Sequence, residues 1–332
     1  MTGATRLNIA LGLALAAALG VATTLGETAF SAAQYAQALS DPASGPGEVL
    51  WLVRAPRAVC ALLVGAALGL AGAVMQGLLR NPLAEPGVLG VLGVSATSAL
   101  AAATAIVLGL AAIPGAVESA ALFGAAVGGG LLIVLAARVR APEALILFGV
   151  ALSSFAGALT ALIFNLSPSP IASAEVMNWL LGSVENRSWN DVAWVAPALL
   201  IAAFLAREAS PGLRMLTLGE EAARASGLSM GRMRVLALAA SALAAGSAVA
   251  VAGVIGFVGL AAPHLVRAAV RGDPGRLLAP SALAGGLMLV VADLMARMLP
   301  TDQELKLGVF TALVGAPLFA LIAWRAAREW RL

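Results

Sequence analysis

One cysteine, one histidine, one lysine and one tyrosine are all that 332 residues contain of those types. Cys60, being alone, excludes an intrachain disulfide and reads as a small core residue. His264 alone cannot build a multi-histidine metal site. Lys306 follows Glu304-Leu305, so the Gly-Lys-Ser/Thr of a Walker A loop is missing and no P-loop can hold ATP here. Any ATP-driven function therefore needs a separate subunit, and no cofactor is expected in this chain. Charge is scarce as well: 11% of residues, against roughly 25% in soluble domains. The basic residues fall in short loops and form no stripe, which excludes nucleic acid as a partner.

Apolar residues make up 61% of the chain, with a mean hydropathy of +0.96. Apolar runs of ~20 residues without alternation point to an all-α polytopic membrane protein rather than a β-barrel. Ten runs are legible, at about 1–26, 58–78, 88–109, 116–137, 144–165, 191–206, 234–253, 257–270, 277–297 and 308–325. The first is too long for most signal-peptide cores and reads as an uncleaved span. The eighth is short and holds Pro263, His264 and Arg267, as a half-span or re-entrant helix would. With the N-terminus inside, fifteen arginines face the cytoplasm, and only Arg54, Arg57, Arg187, Arg297 and Lys306 face outside. That bias places both termini in the cytoplasm. No internal repeat is evident, so residues 1–332 form a single transmembrane domain. Gly65-xxx-Gly69 and the series Gly253, Gly256, Gly259 suit close helix packing in lipid.

Two outer loops, 27–57 and 167–190, are long enough to hold structure. In the second, Ser167 to Pro170 break the fifth helix and Trp179 sits in a short interfacial helix. The cytoplasmic loop 207–233 is divided by Gly219 and Gly227 yet keeps Leu213, Met215, Leu216, Leu218 and Leu228. Apolar anchors inside a polar rim suit a docking surface for a cytosolic partner. Arg54, Arg57 and Arg297 on the outer face either snorkel or pair with carboxylates of a docked protein. Asp293 stands four residues before Arg297, a spacing that explains it as an ion pair more simply than as a proton relay. Arg80 to Gly90, RNPLAEPGVLG, reads as a rigid turn at the membrane surface, stiffened by Pro82 and Pro86. Asn81 and Leu83 in it can close a pathway beneath a bulky solute.

Seven segments, in order, resemble the FecCD family of ABC-importer permeases for ferric siderophores, haem and vitamin B12. They are RAPR (54–57), GAALGLAGAVMQGLLRNPLAEPGVLG (65–90), WLLGSVENRSW (179–189), LGEEAARASGL (218–228), GFVGLAAPHLVR (256–267), ADLMAR (292–297) and ELKLGVFTALVGAPLF (304–319). The resemblance implies a homodimer of ten-helix subunits in a bacterial inner membrane. It also implies two ATP-binding cassette subunits carrying ATP and Mg, and a periplasmic substrate-binding protein above. Leu218, Gly219, Glu220, Glu221, Ala222, Ala223 and Gly227 match the segment that enters the ATPase cleft, with Leu213 and Leu216 as further anchors. Arg54, Arg57 and Arg297 match arginines that meet the binding protein, and Asn81 and Leu83 match the cytoplasmic gate. Thr97-Ser98 departs from the small pair expected in the third span, where it bears on the pore lining. The implied cargo is a large metal chelate, ferric siderophore or haem first and cobalamin second. An ion-coupled secondary carrier is the rival class.

Overall fold

The computed structural model describes residues 3–26, 28–87, 90–107, 115–139, 142–166, 174, 177, 179–299 and 304–329. Thirteen α-helices follow among the described residues. They are α1 Gly3–Thr24, α2 Ala32–Ser40, α3 Gly45–Glu48, α4 Ala55–Leu79, α5 Val91–Val107, α6 Ala116–Arg138 and α7 Pro142–Leu166. Then come α8 Trp189–Leu216, α9 Glu220–Ala225, α10 Met230–Ala252, α11 Val258–Arg267, α12 Pro274–Met298 and α13 Leu307–Glu329. Among the described residues, seven spans are long and apolar enough to cross a membrane, and three shorter apolar helices lie in α5, α11 and α13, against ten runs expected.

Local chemistry fixes the ends. Ser31 and Gln34 form a capping box at α2, and the Ser44 hydroxyl accepts the Gly47 N–H at α3. A π-helical stretch, Val49–Arg54, then joins α3 to α4. The first outer loop thus holds structure, as its caps demand. Asp273 starts α12, with Pro274 at the first helical position. Gly253, at φ 69°, ends α10.

α4 is the central post. Lipid gives helices no hydrophobic drive to associate, so backbone approach matters most. A Cβ on Gly65 would overlap the Gly285 carbonyl of α12, and one on Gly69 would overlap that of Ser281. Gly72 meets the Gly259 carbonyl of α11 in the same way. Pro263 cannot donate to Gly259, which leaves that carbonyl prominent. α1 and α7, by contrast, bury little of their surface.

The eighth span is broken. Residues 253–257 are non-helical, and α11 completes the crossing in 10 residues. Pro263 and His264 lie inside that helix rather than at its start. Two other expectations change. α8 continues to Leu216, so the segment expected as a loop from 207 is helix for its first ten residues. Trp179 is buried within the chain instead of standing out as an anchor, and its carbonyl accepts the Val254 N–H at 3.0 Å. Ser167 to Pro170, expected to break the fifth helix, lie outside the described residues.

Charged and polar side chains gather at two ends of the bundle. One end gathers Gln76, Arg267, Arg214, Asp273, Glu220 and Arg234. The other gathers Arg54, Arg57, Asp293, Arg297, Glu304 and the Lys306–Glu185 pair.

Gly72→Ala should lower the unfolding midpoint of the purified protein by an amount equivalent to about 1–3 kcal/mol or more of overpacking. Gly130→Ala, where a Cβ would meet nothing within 4 Å, should be neutral or stabilising. Equal midpoints would show that the α4–α11 contact yields freely.

Candidate functional site

The inner turn is more deeply seated than a surface turn. Arg80, at φ 49°, ends α4 in the left-handed region. The Asn81 side chain accepts the Leu83 N–H at 2.9 Å, an Asx turn that Pro82 stiffens. Pro82 and Leu83 are exposed at the tip. From there the chain climbs back into the bundle. Pro86 lies against Gly259, and the Ser153 hydroxyl of α7 donates to the Gly87 carbonyl at 3.1 Å. Gly259 packs on Gly72, which is 7 residues or about 10 Å of helix above the end of α4.

Above this turn lies a cavity of about 600 Å³ between α5 and α7. Leu92, Ala96, Gly157, Ala161 and Phe164 give it apolar walls, and Glu85 and Gly87 border one end. Thr97 turns out to be a strut. Its hydroxyl is within 3.0 Å of the Ala156 carbonyl and 2.9 Å of the Thr160 hydroxyl, tying α5 to α7. Ser98 lies against Gly124 of α6, away from that wall.

Gly219 to Gly227 hold one short helix on a buried base. Gly219 (φ 97°) and Gly227 (φ 85°) flank α9 in backbone conformations that favour glycine. Leu213, Leu216 and Ala223 are buried within the chain itself, so Leu213 and Leu216 are not free anchors. Leu218 is 73% exposed, and Glu221, Ala222 and Gly227 are exposed beside it. Glu220 is occupied internally, bridging Arg224 at 3.1 Å and Arg234 at 2.8 Å. Arg234 also donates to the Ala136 carbonyl, which fixes α9 to the end of α6. Arg214 reaches Asp273 at 2.8 Å. Burial alone would raise the Asp273 carboxyl. Arg214 and the Arg276 and Gly275 N–H groups outweigh it and hold that carboxyl below its usual range.

The outer arginines face inward. Arg54 donates to the carbonyls of Thr24, at 2.7 Å, and of Thr28, and its guanidinium lies over the Phe30 ring. Arg57 holds Asp293 at 2.8 Å and also Glu304. Arg297 holds Asp293 at 3.1 Å and donates to the Leu25 and Ala22 carbonyls. Asp293 is therefore shared by two arginines, one more than the i,i+4 spacing indicated. All three guanidinium groups are engaged within the chain, so none is presented free to a partner in this conformation.

Residues 12–325 match the FecCD transport family. The chain belongs to that family. An ABC transporter permease protein of Bacillus subtilis (strain 168), YvrB, itself uncharacterised, is 39% identical over 289 residues, 85% of this chain and 80% of the relative. The vitamin B12 import system permease protein BtuC of Salmonella schwarzengrund (strain CVM19633) is 39% identical over 288 residues, 86% of each. A solved chain described as an inward-facing conformation of a metal-chelate type ABC transporter superposes with a TM-score of 0.85 at 30% identity. That likeness covers 97% of this chain and 99% of the solved one. This FecCD protein is thus an ABC importer permease.

Several residues of this FecCD chain matter that the sequence reading did not single out: Gln76, Arg234 and Glu304. Each makes its contact across a long sequence separation, as Arg57 and Glu304 do over 247 positions. The one available signal was polarity itself, since a Gln or Glu next to long apolar runs needs a partner.

Asp293→Asn should destabilise this protein by about 3–5 kcal/mol, because it strips a charge from between two buried guanidinium groups. Arg276→Ala, on the exposed Arg276–Asp273 pair, should stay within about 0.5 kcal/mol. Thermal unfolding of the two variants side by side checks the contrast, and equal loss would mean that the outer cluster is not structural.

Proposed function

We propose that this permease works as a two-fold dimer that imports a large metal chelate into a bacterial cytoplasm. Its partners are two ATP-binding cassette subunits, which bind ATP and Mg, and a periplasmic binding protein. The observation that carries the reading is the cavity between α5 and α7, apolar along its walls and bordered at its inner end by the turn. α7 is a sparsely covered span, with Leu147, Phe155 and Leu162 exposed. A second copy seated there would bring two such cavities to the axis. Apolar walls hold a bulky solute weakly, which suits release after handover.

The end bearing Arg214, Arg234 and α9 is read as cytoplasmic, with both chain termini on that side, in the bacterial inner membrane. Leu218, Glu221, Ala222 and Gly227 form the tip that meets the ATPase. Gly219, Glu220, Ala223, Leu213 and Leu216 form the base that transmits its motion. Asn81 and Leu83 close the pathway from below. At the outer face, Arg54, Arg57 and Arg297 brace the platform on which the binding protein sits. Any contact they make with its carboxylates requires exchange with their internal partners. Asp293, neutralised by two arginines, offers little to an ion-coupled carrier.

A ferric siderophore or haem fits such a pathway, and so does cobalamin. The Salmonella relatives named for vitamin B12 import favour cobalamin as the first compound to test. Uptake into proteoliposomes with the cognate ATPase and binding protein should occur for one of the three and require ATP. Leu218→Asp should abolish that uptake and reduce ATPase co-purification more than about tenfold, as for a central interface anchor. Full uptake by the Leu218→Asp protein would remove α9 from the coupling role.

The gate has its own test. In a Cys60→Ser background, Asn81→Cys copies should cross-link across the dimer in one nucleotide state and stop uptake until reduced, because residues on a two-fold axis meet their own copies. A turn at the periphery would hold the Cα atoms beyond about 7 Å, where no disulfide forms.

A further inference from the structure

We propose that residues 179–185 form a strap that seals the apolar cavity at the end away from the inner turn, with the Lys306–Glu185 ion pair as its bolt. Lifting the strap admits cargo from the outer face. Its part in transport rests on reading that cavity as the pathway, whereas its closure and release do not.

Three pieces of chain meet here with backbone groups to satisfy. α10 stops at Ala252, and a helix end leaves its last carbonyls without helical partners. α13 starts at Leu307, and a helix start leaves its first N–H groups likewise. The strap is helical at 179–181 and non-helical through 182–184. Each piece takes its partner from another. The Ser183 N–H donates to the Ala252 carbonyl at 2.8 Å, the Val254 N–H to the Trp179 carbonyl at 3.0 Å, and the Gly308 N–H to the Gly182 carbonyl at 3.2 Å. Side chains would prevent this approach. A Cβ on Gly182, at φ 62°, would overlap the Val254 carbonyl, and one on Gly308 would overlap that of Leu181. Beside these bonds, Lys306 Nζ holds Glu185 at 2.7 Å.

The junction borders two cavities of opposite character. Leu180, Val254 and Gly256 line the apolar one, beside Phe164 and Asn165 at the end of α7. Trp179, Ser183, Glu185, Gly253 and Lys306 line a second, polar one of about 250 Å³. Backbone groups that leave their partners toward a polar cavity are met by water, and toward an apolar one they are not. The strap therefore lifts toward the polar side. Its two neighbours are fixed: Ala252 is buried in the core, and Arg57 holds Glu304 just before α13. The strap is the part that moves.

The test has two readouts on the permease assembled with its ATPase and binding protein in lipid. The first is hydrogen exchange at the Ser183, Val254 and Gly308 amides, resolved to single residues by mass spectrometry. These amides should be protected without nucleotide. With a non-hydrolysable ATP analogue, or with ADP and vanadate, they should lose protection together by about tenfold or more, while amides inside α10 stay protected. Lys306→Met and Glu185→Gln should each speed their exchange about two- to fivefold, the effect of a partly exposed ion pair, and the swap Lys306→Glu with Glu185→Lys should restore it. The second readout is uptake. In a Cys60→Ser background, Glu185→Cys and Lys306→Cys are bridged by a short bifunctional thiol reagent, and peptide mass verifies the bridge. Bridging should stop uptake until the bridge is reduced, and either single cysteine treated alike should not. Amides that are open at rest, stay protected in every nucleotide state or open one at a time overturn the strap, as does a bridge that never forms. A swap no better than the single changes overturns the bolt. If the amides open together while none of the three compounds is imported, the strap stands and the import reading falls. If the bridged protein imports in full, the import reading stands and the strap falls.

Discussion

The contact on which the rest of this bundle depends is backbone against backbone along one face of α4. Gly65, Gly69 and Gly72 let Gly285, Ser281 and Gly259 approach so closely that any side chain would collide. Between lipid-embedded helices only packing and polar contacts hold, so this seam sets the spacing of α11 and α12. Once they are placed, Arg297 is delivered beside Asp293, and Arg57 of α4 completes the outer cluster.

Polar chemistry is confined to the two ends of that apolar post, and the ends are built differently. The outer end is tightly satisfied, with arginine side chains spent on carbonyls and carboxylates of α1, α12 and the segment before α13. The inner end is more open. Leu218 projects, and Arg214 and Asp273 pair at the surface. A partner at the inner end finds an apolar tip ready. At the outer end it finds a braced surface whose charges are already matched.

Much of this was legible. Ten apolar runs became seven long spans and three short ones, because length and composition are what a membrane constrains. The broken eighth span announced itself through Pro263 within a run too short to cross. Gly65 and Gly69 predicted a close approach, and Gly219 and Gly227 predicted the ends of α9. What escaped notice was pairing at long range. No spacing rule links Arg57 to Glu304, and a guanidinium facing inward has the same sequence as one facing out. Leu213 and Leu216 were misplaced for a related reason: apolar residues in a presumed loop look like anchors until the helix is seen to continue through them. Pro211 does not end α8, which runs past it to Leu216. The depth of the turn was hidden too, since its height depends on Gly259, far along the chain.

α8 deserves a mechanical description. Its 28 residues span about 42 Å without a break, from the outer face to the base of α9. At its top the Trp189 indole donates to the Trp51 carbonyl, next to the arginine cluster, and near its foot Arg214 holds Asp273. It is a beam pinned at both ends, with prolines at 197 and 211 as its compliant points. A tilt imposed at the foot must either displace the Trp51 side of the molecule or be absorbed as bending at those two prolines. The stiffness of two imino acids then governs how much of the stroke at one face is felt at the other.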